Sequence, residues 1–487
     1  MADATTTGRA TSGSTGAVRR MLLPLALAQF ICSFAGSNMN VMINDISEDL
    51  DTTVQGVQVA ITLFLLVMAA LMIPGGKLAD RHGRKRCFTI GLVVYAVGAV
   101  LSAVSPGLGI LILGNSILEG VGTALLIPPV YILVTLLFHD FTSRAKAFGV
   151  ISAMAGVGAA TGPLIGGLIT TTISWRAAFV FQVLVIVGIL FSARPLVDPL
   201  PADRSKPFDL VGAVLSAVGL VSIVLGIMAA DDNLTLTLVL IIGGAVFLGL
   251  FFWTIRAKER AGREPLLRTE LFRNRVANLG MVTQNVQWQL LLGTSFVVAA
   301  FLQVVRGYNA VQTGLIFSAA TVGLLLSSLL AERFAKRRTQ RTLIVAGFVV
   351  ALAGFVLLIW LVNEFSGAGA FIPGLFVLGF GAGAMMTPSV NVVQSAFPDE
   401  MQGEISGLSR SVSNLGSSIG TALAGTVLVA GIGKTPGGAY AAALVVLAVA
   451  GLLGLLAALF LPRDAGRQAV PPATVTSPDG TQAPTPA

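Results

Sequence analysis

The sequence predicts an all-α polytopic membrane protein of fourteen transmembrane helices, built as two six-helix pseudo-symmetric halves with two further helices inserted between them. Three observations carry that expectation. Of 487 residues 55% are hydrophobic and only 11% charged, with a mean hydropathy of +0.86. A water-soluble domain carries about 25% charged residues to cover a wet surface, so the excess apolar surface must face lipid. The apolar residues also fall into fourteen runs, each near the ~20 residues that cross a bilayer core. Finally, the two ends of the chain repeat one another at low similarity.

Taken in order, residues 1–20 form a polar tail of Ser, Thr, Gly and Ala, expected to be disordered and cytoplasmic with no cleavable leader. Helix 1, near 21–43, then serves as its own insertion signal. Helices 2 to 6 follow near 57–74, 88–105, 108–137, 146–171 and 175–196, completing an N-terminal half at 21–196. Helices 7 and 8, near 209–230 and 234–256, lie in an inserted segment, 197–276, with cytoplasmic linkers. Helices 9 to 14, near 277–304, 310–330, 342–362, 371–396, 405–432 and 439–461, form a C-terminal half at 277–461. From 462 onward a tail rich in Pro, Thr and Ala has no hydrophobic periodicity and reads as disordered and cytoplasmic.

The net charge is +8 and the pI about 9.9. The cations come in small clusters between apolar runs, not on one basic face, so they predict topology and no nucleic-acid partner. With a cytoplasmic N-terminus, 27 of the 31 Lys and Arg fall in inner segments, as the positive-inside rule requires. Arg176, Arg306 and Lys434 are outer, Arg410 falls within helix 13, and the first outer loop is acidic, with Asp45, Glu48, Asp49 and Asp51. Cys32 and Cys87 stand apart, so no disulfide framework is expected, and His82 and His139 are isolated, so no metal site is expected.

The repeat has a spacing of about 255 residues. The charge pattern of Leu78-Ala79-Asp80-Arg81-His82-Gly83-Arg84-Lys85-Arg86 returns as Leu330-Ala331-Glu332-Arg333-Phe334-Ala335-Lys336-Arg337-Arg338. Gly120, Gly122 and Pro129 return as Gly379, Gly381 and Pro388, and Gly149, Gly158, Gly162 and Gly167 as Gly407, Gly416, Gly420 and Gly425. Helices 1 to 6 thus correspond to helices 9 to 14. Parallel halves of this kind suit a secondary transporter whose site lies between them and opens alternately to each side.

On these residues the chain resembles the major facilitator superfamily and, within it, the drug:proton antiporters with fourteen spans. Gly76-Lys77-Leu78-Ala79-Asp80-Arg81-His82-Gly83-Arg84-Lys85-Arg86 is similar to the signature loop between helices 2 and 3. The resemblance implies that Gly76, Asp80, Arg81, Gly83 and Arg84 act as a gate, with contacts at Asp80 that exist in one rocked state only. Gly158, Gly162-Pro163 and Gly166-Gly167 of helix 5 resemble the antiporter signature, which implies export. Ser174-Trp175-Arg176 resembles the start of helix 6 in antiporters, and Phe301 to Tyr308 with Gly314 the stretch joining helices 9 and 10. Two departures stand out: Ala35 replaces an acid usual in helix 1, and Ser116 an arginine usual in helix 4.

Glu119 is the only acid in the middle of a predicted span. A carboxylate there costs several kcal/mol unless paired or hydrated, so Glu119 is the expected proton-coupling group, with Asp45 and Glu364 near helix ends behind it. The cavity should be lined by helices 1, 4, 5, 9, 12 and 13. Its polar candidates are Asn38, Asn40, Gln284, Asn285, Trp288, Asn391, Gln394 and Arg410. Amides beside an indole suit an amphipathic, even cationic ligand, though such amides also tie helices together. Arg410 either snorkels to the inner surface or provides a counter-charge.

The expected function is proton-coupled export of amphipathic drugs or toxic compounds, by a monomer in the cell membrane whose partners are lipid, substrate and protons. Export of one endogenous metabolite and a non-transporting sensor are the alternatives. No phosphate-binding Gly-Lys loop and no catalytic constellation occur, so neither ATP, another cofactor nor enzymatic activity is expected.

Overall fold

A computed structural model of the protein describes residues 10–465 apart from 139–140, 201, 206, 231–232, 336–337, 366 and 399–400. Fourteen helices in it are long and apolar enough to span a membrane. Helices 1 to 6 are Met21–Asp49, Val54–His82, Arg84–Ala103, Leu108–Leu137, Lys146–Thr172 and Trp175–Ser192. Helices 7 and 8 are Leu210–Met228 and Leu234–Arg260. Helices 9 to 14 are Arg275–Val305, Ala310–Leu330, Gln340–Glu364, Ala368–Gln394, Glu404–Ile432 and Pro436–Leu459.

Polar side chains start these helices. Thr53, Ser174, Asp209, Asn233, Asn274 and Thr339 each accept a hydrogen bond from a backbone N–H in the first turn that follows, satisfying donors a helix cannot satisfy itself. Helix 1 is preceded by helical backbone from Ala10, ahead of the expected start. The tails at 1–9 and 466–487 lie outside the described residues, as do the side chains of 331–337, the second copy of the charged motif.

One element differs clearly from expectation. The stretch from Gly76 to Arg86 is not a loop: helix 2 runs on to His82 and helix 3 begins at Arg84. Lys and Arg are good helix formers, so charge does not end a helix where it leaves the lipid. The whole turn is Gly83, at φ +95, a conformation open to glycine and strained for any residue with a Cβ.

The two halves repeat in their packing. Helix 5 lies between helix 1 of its own half and helix 10 of the other; helix 13 lies in the same way between helices 9 and 2. Helix 7 rests in the seam between helices 2 and 13, where Val224 and Met228 pack with Leu66 and Ala422. Helix 8 clasps helix 7 and otherwise faces mostly outward. Asp209 joins the pair to the next linker, accepting from Gly212 N at 2.7 Å, from Leu266 N at 3.2 Å and from Lys258.

Candidate functional site

The end of the bundle that carries the cationic clusters is closed by charge. Arg84 donates from Nη2 to Asp80 Oδ1 at 2.7 Å, while its backbone N–H donates to Asp198 Oδ2 at 2.6 Å. Asp198, from the linker after helix 6, thereby caps helix 3, a favourable place for a carboxylate at a helix N-terminus. Arg81 Nε is buried without a partner. Gly76 faces Pro128 of helix 4, 3.5 Å from where a Cβ would lie. Between halves, Lys77 of helix 2 reaches Glu404 of helix 13 at 3.2 Å, and Arg268 from the linker before helix 9 reaches the same oxygen at 3.6 Å. The charged network at this end therefore includes Lys77, Asp198, Arg268 and Glu404, residues whose contacts are distant in sequence.

At the opposite end, Gln303 joins the halves. Its Nε2 donates to Asn40 O at 2.7 Å and its Oε1 accepts from Asn44 N at 3.1 Å. Gln303 sits in a π-helical turn, Phe301–Val305. Nearby, Asp49 accepts from Trp175 Nε1 at 3.0 Å and pairs with Arg176, so the Trp-Arg element ties helix 6 to the end of helix 1.

Helix 5 presents its glycines to two partners. A Cβ at Gly158 would lie 2.3 Å from Phe30 O, one at Gly162 2.0 Å from Ser37 Oγ, and one at Gly166 3.0 Å from the Asn38 Cβ, all on helix 1. On the other side a Cβ at Gly167 would lie 2.4 Å from Ala310 O, and Pro163 O lies against Gly314, both of helix 10. Backbones approach this closely only where side chains are missing. Helix 13 copies the arrangement: Gly416 and Gly420 meet Asn285 O and Gln289 O of helix 9, at 2.2 Å and 2.4 Å for an added Cβ, and Gly425 meets Gln58 of helix 2.

Glu119 is fully buried at the end of a π-helical segment, Ile112–Glu119, in helix 4. Such segments recur at functional positions. It faces the interior of the N-terminal half. Ser102 Oγ of helix 3 lies 3.3 Å from Glu119 Oε1 and 2.9 Å from Gly98 O, two acceptors for one hydroxyl proton. The Tyr95 hydroxyl is beside the same carboxyl and donates to Gln182 Oε1 of helix 6 at 2.6 Å. Glu119 Oε2 has no hydrogen-bond partner. Asp45 is half-buried and Glu364 exposed, both at the far end, and neither joins it. Of the two departures, Ala35 is buried in helix 1 and Ser116 Oγ donates to Ala60 O at 2.7 Å.

The amides Gln284 and Asn285 of helix 9 bond across to helix 13. Gln284 donates to Ser413 Oγ at 2.9 Å and accepts from Ser409 Oγ at 2.8 Å; Asn285 donates to Val412 O at 2.9 Å and accepts from Gln289 Nε2 at 2.7 Å. Trp288 is half-buried, and Asn391 and Gln394 are half-buried near the end of helix 12. Asn38 and Asn40 are buried on helix 1 with amide groups lacking partners. Arg410 crosses between halves instead of reaching for the membrane surface, donating to Tyr131 of helix 4 with its guanidinium 4.8 Å from that ring.

The family model of the Major Facilitator Superfamily matches residues 25–421 and, in a second alignment, 287–483. The chain belongs to the Major Facilitator Superfamily. It is 30% identical over 411 residues to the puromycin resistance protein Pur8 of Streptomyces alboniger, covering 83% of this chain and 81% of that one. It is 28% identical over 417 residues to the multidrug resistance protein Stp of Mycobacterium tuberculosis, covering 85% and 76%. Among solved structures, a peptide transporter POT superposes with a TM-score of 0.66 over 91% of this chain and 95% of that one, at 17% identity, a likeness of fold. With these relatives and fourteen candidate spans, the chain is a major facilitator transporter whose relatives include drug-resistance proteins.

Proposed function

We propose that the protein exports small amphipathic organic compounds from the cytoplasm in exchange for protons, with its cationic end and both termini on the cytoplasmic side. The observation that carries the reading is Glu119: a single carboxyl sealed inside the N-terminal half, with one oxygen lacking a partner and Ser102 offering one proton to two acceptors. A proton on Glu119 would complete that set. Because Glu119 faces helix 3 and not the seam between halves, substrate and proton do not compete for one atom. Instead the proton alters the packing of helices 3, 4 and 6, of which helix 3 begins at Arg84 and helix 6 leads into its partner Asp198. Opening either end requires breaking one cross-half set, Lys77–Glu404 and Arg410–Tyr131 at the cationic end or the Gln303 bonds at the other.

The test is uptake into everted membrane vesicles of a panel of fluorescent amphipathic compounds, with an imposed proton gradient. Accumulation that collapses on adding an uncoupler is expected. Accumulation indifferent to the uncoupler would remove proton exchange, and absence of accumulation for every compound would remove export.

A further inference from the structure

The cation in the seam has no counter-ion among the described residues. Arg410 lies eight residues inside the helix Gln402–Ile432, about 12 Å along its axis at 1.5 Å per residue. Among the described residues no carboxylate comes within ion-pair distance of it: Glu404 is held by Lys77 and Arg268, and Glu119 is turned toward Ser102 and Tyr95. What Arg410 does touch is uncharged. It donates to the Tyr131 hydroxyl, which in turn lies 3.4 Å from Gln29 Oε1, and it covers the Tyr131 ring. Tyr131 is itself stacked on Phe148 of helix 5, with centroids 5.9 Å apart and planes 21° apart. A phenol and a ring face do not neutralise a charge removed from water.

The surroundings leave room for something that does. Arg410, Tyr131, Phe148 and Ser33 are half-buried although they stand between the halves, and on the helix 1 face carrying Gln29 and Ser33 a Cβ at Gly36 would meet nothing within 4 Å. A guanidinium fork beside two nearly parallel rings recognises a flat aromatic body carrying a carboxylate, sulfonate or phenolate, which the fork grips by paired hydrogen bonds while the rings stack.

We infer that the ligand of this site is a planar aromatic anion, bound by Arg410 against Tyr131 and Phe148, in place of the cationic compound the sequence suggests. The inference rests on the exporter reading for its transport arm only. Binding comes from this cluster whatever drives the cycle.

The experiment uses two dyes of one xanthene skeleton and opposite charge, fluorescein and rhodamine 123. Fluorescence anisotropy on the purified full chain should show fluorescein bound at least tenfold more tightly than rhodamine 123, the scale of a charge-assisted pair. Arg410→Gln should lower fluorescein affinity roughly tenfold or more without weakening rhodamine 123, whose like charge the arginine repels, Arg410→Lys should restore part of the fluorescein loss, and Tyr131→Phe should weaken fluorescein less than Arg410→Gln does. Preference for rhodamine 123, or fluorescein binding unchanged in a folded Arg410→Gln protein, overturns the inference. Uptake into everted vesicles separates the two readings: fluorescein binding without gradient-driven uptake of either dye keeps the anion site and removes the exporter, whereas gradient-driven rhodamine 123 uptake without fluorescein uptake or binding does the reverse.

Discussion

The two halves share a backbone and differ in chemistry. Helix 5 meets helix 1 through Gly158 and Gly162 as helix 13 meets helix 9 through Gly416 and Gly420, each to within 2.4 Å of where a Cβ would lie. Yet the position that holds Glu119 in the first half corresponds to Leu378 in the second, and Tyr95 to Ala351, all four buried. The second half instead holds Arg410 and the Gln284, Ser409 and Ser413 network. Duplicated contacts are those that shape the bundle. The groups found once, Glu119 on one side of the seam and Arg410 on the other, are those to which the proposed proton and ligand binding are assigned.

The largest effect should come from breaking the shared part. Gly158→Val and Gly416→Val force backbone apart and should each cost about 3 kcal/mol or more, seen as a lower thermal midpoint and loss of monodisperse protein on size exclusion. Equal damage supports mechanical equivalence of the halves; damage from one alone breaks the comparison. Next, Glu119→Gln should reduce gradient-driven uptake to the level of uncoupler-treated vesicles while gradient-free substrate counterflow persists, and Leu378→Gln should leave coupling intact. Coupling retained in Glu119→Gln would move the proton site elsewhere. Tyr95→Phe, which leaves Gln182 Oε1 without its donor, should slow coupled uptake about tenfold, near 1.4 kcal/mol; an unchanged rate would confine Tyr95 to packing. Smallest of all, Asp49→Asn weakens a half-exposed pair with Arg176 and should change stability by less than about 1 kcal/mol, measured by thermal unfolding.

What could be read from the chain follows from what lipid enforces. The fourteen spans were legible because backbone in a bilayer must bond within a helix, and that demands long apolar runs. The glycine stripe of helix 5 was legible because nothing larger fits, and Glu119 because an embedded acid is rare. Asp198, Glu404, Gln303 and Tyr131 were hidden, since a carboxylate or amide in sequence does not announce which distant helix it will meet. The amides around Trp288 were visible but ambiguous: the same Gln284 suits a ligand or a neighbouring helix, and its bonds to the serines of helix 13 could not be read from the sequence. Arg410 was visible with its partner unread, because Tyr131 lies 279 residues away in the chain.

Helices 7 and 8 raise a matter of bilayer mechanics. The pair is fastened to the seam through Val224 and Met228 and to the linkers through Asp209, while most of helix 8 is left facing outward. If the seam shifts as the proposed export cycle requires, this pair would sweep lipid like a paddle. Each turnover would then displace membrane as well as cargo, and its rate should respond to acyl-chain length and viscosity in a way that a bare twelve-helix bundle would not.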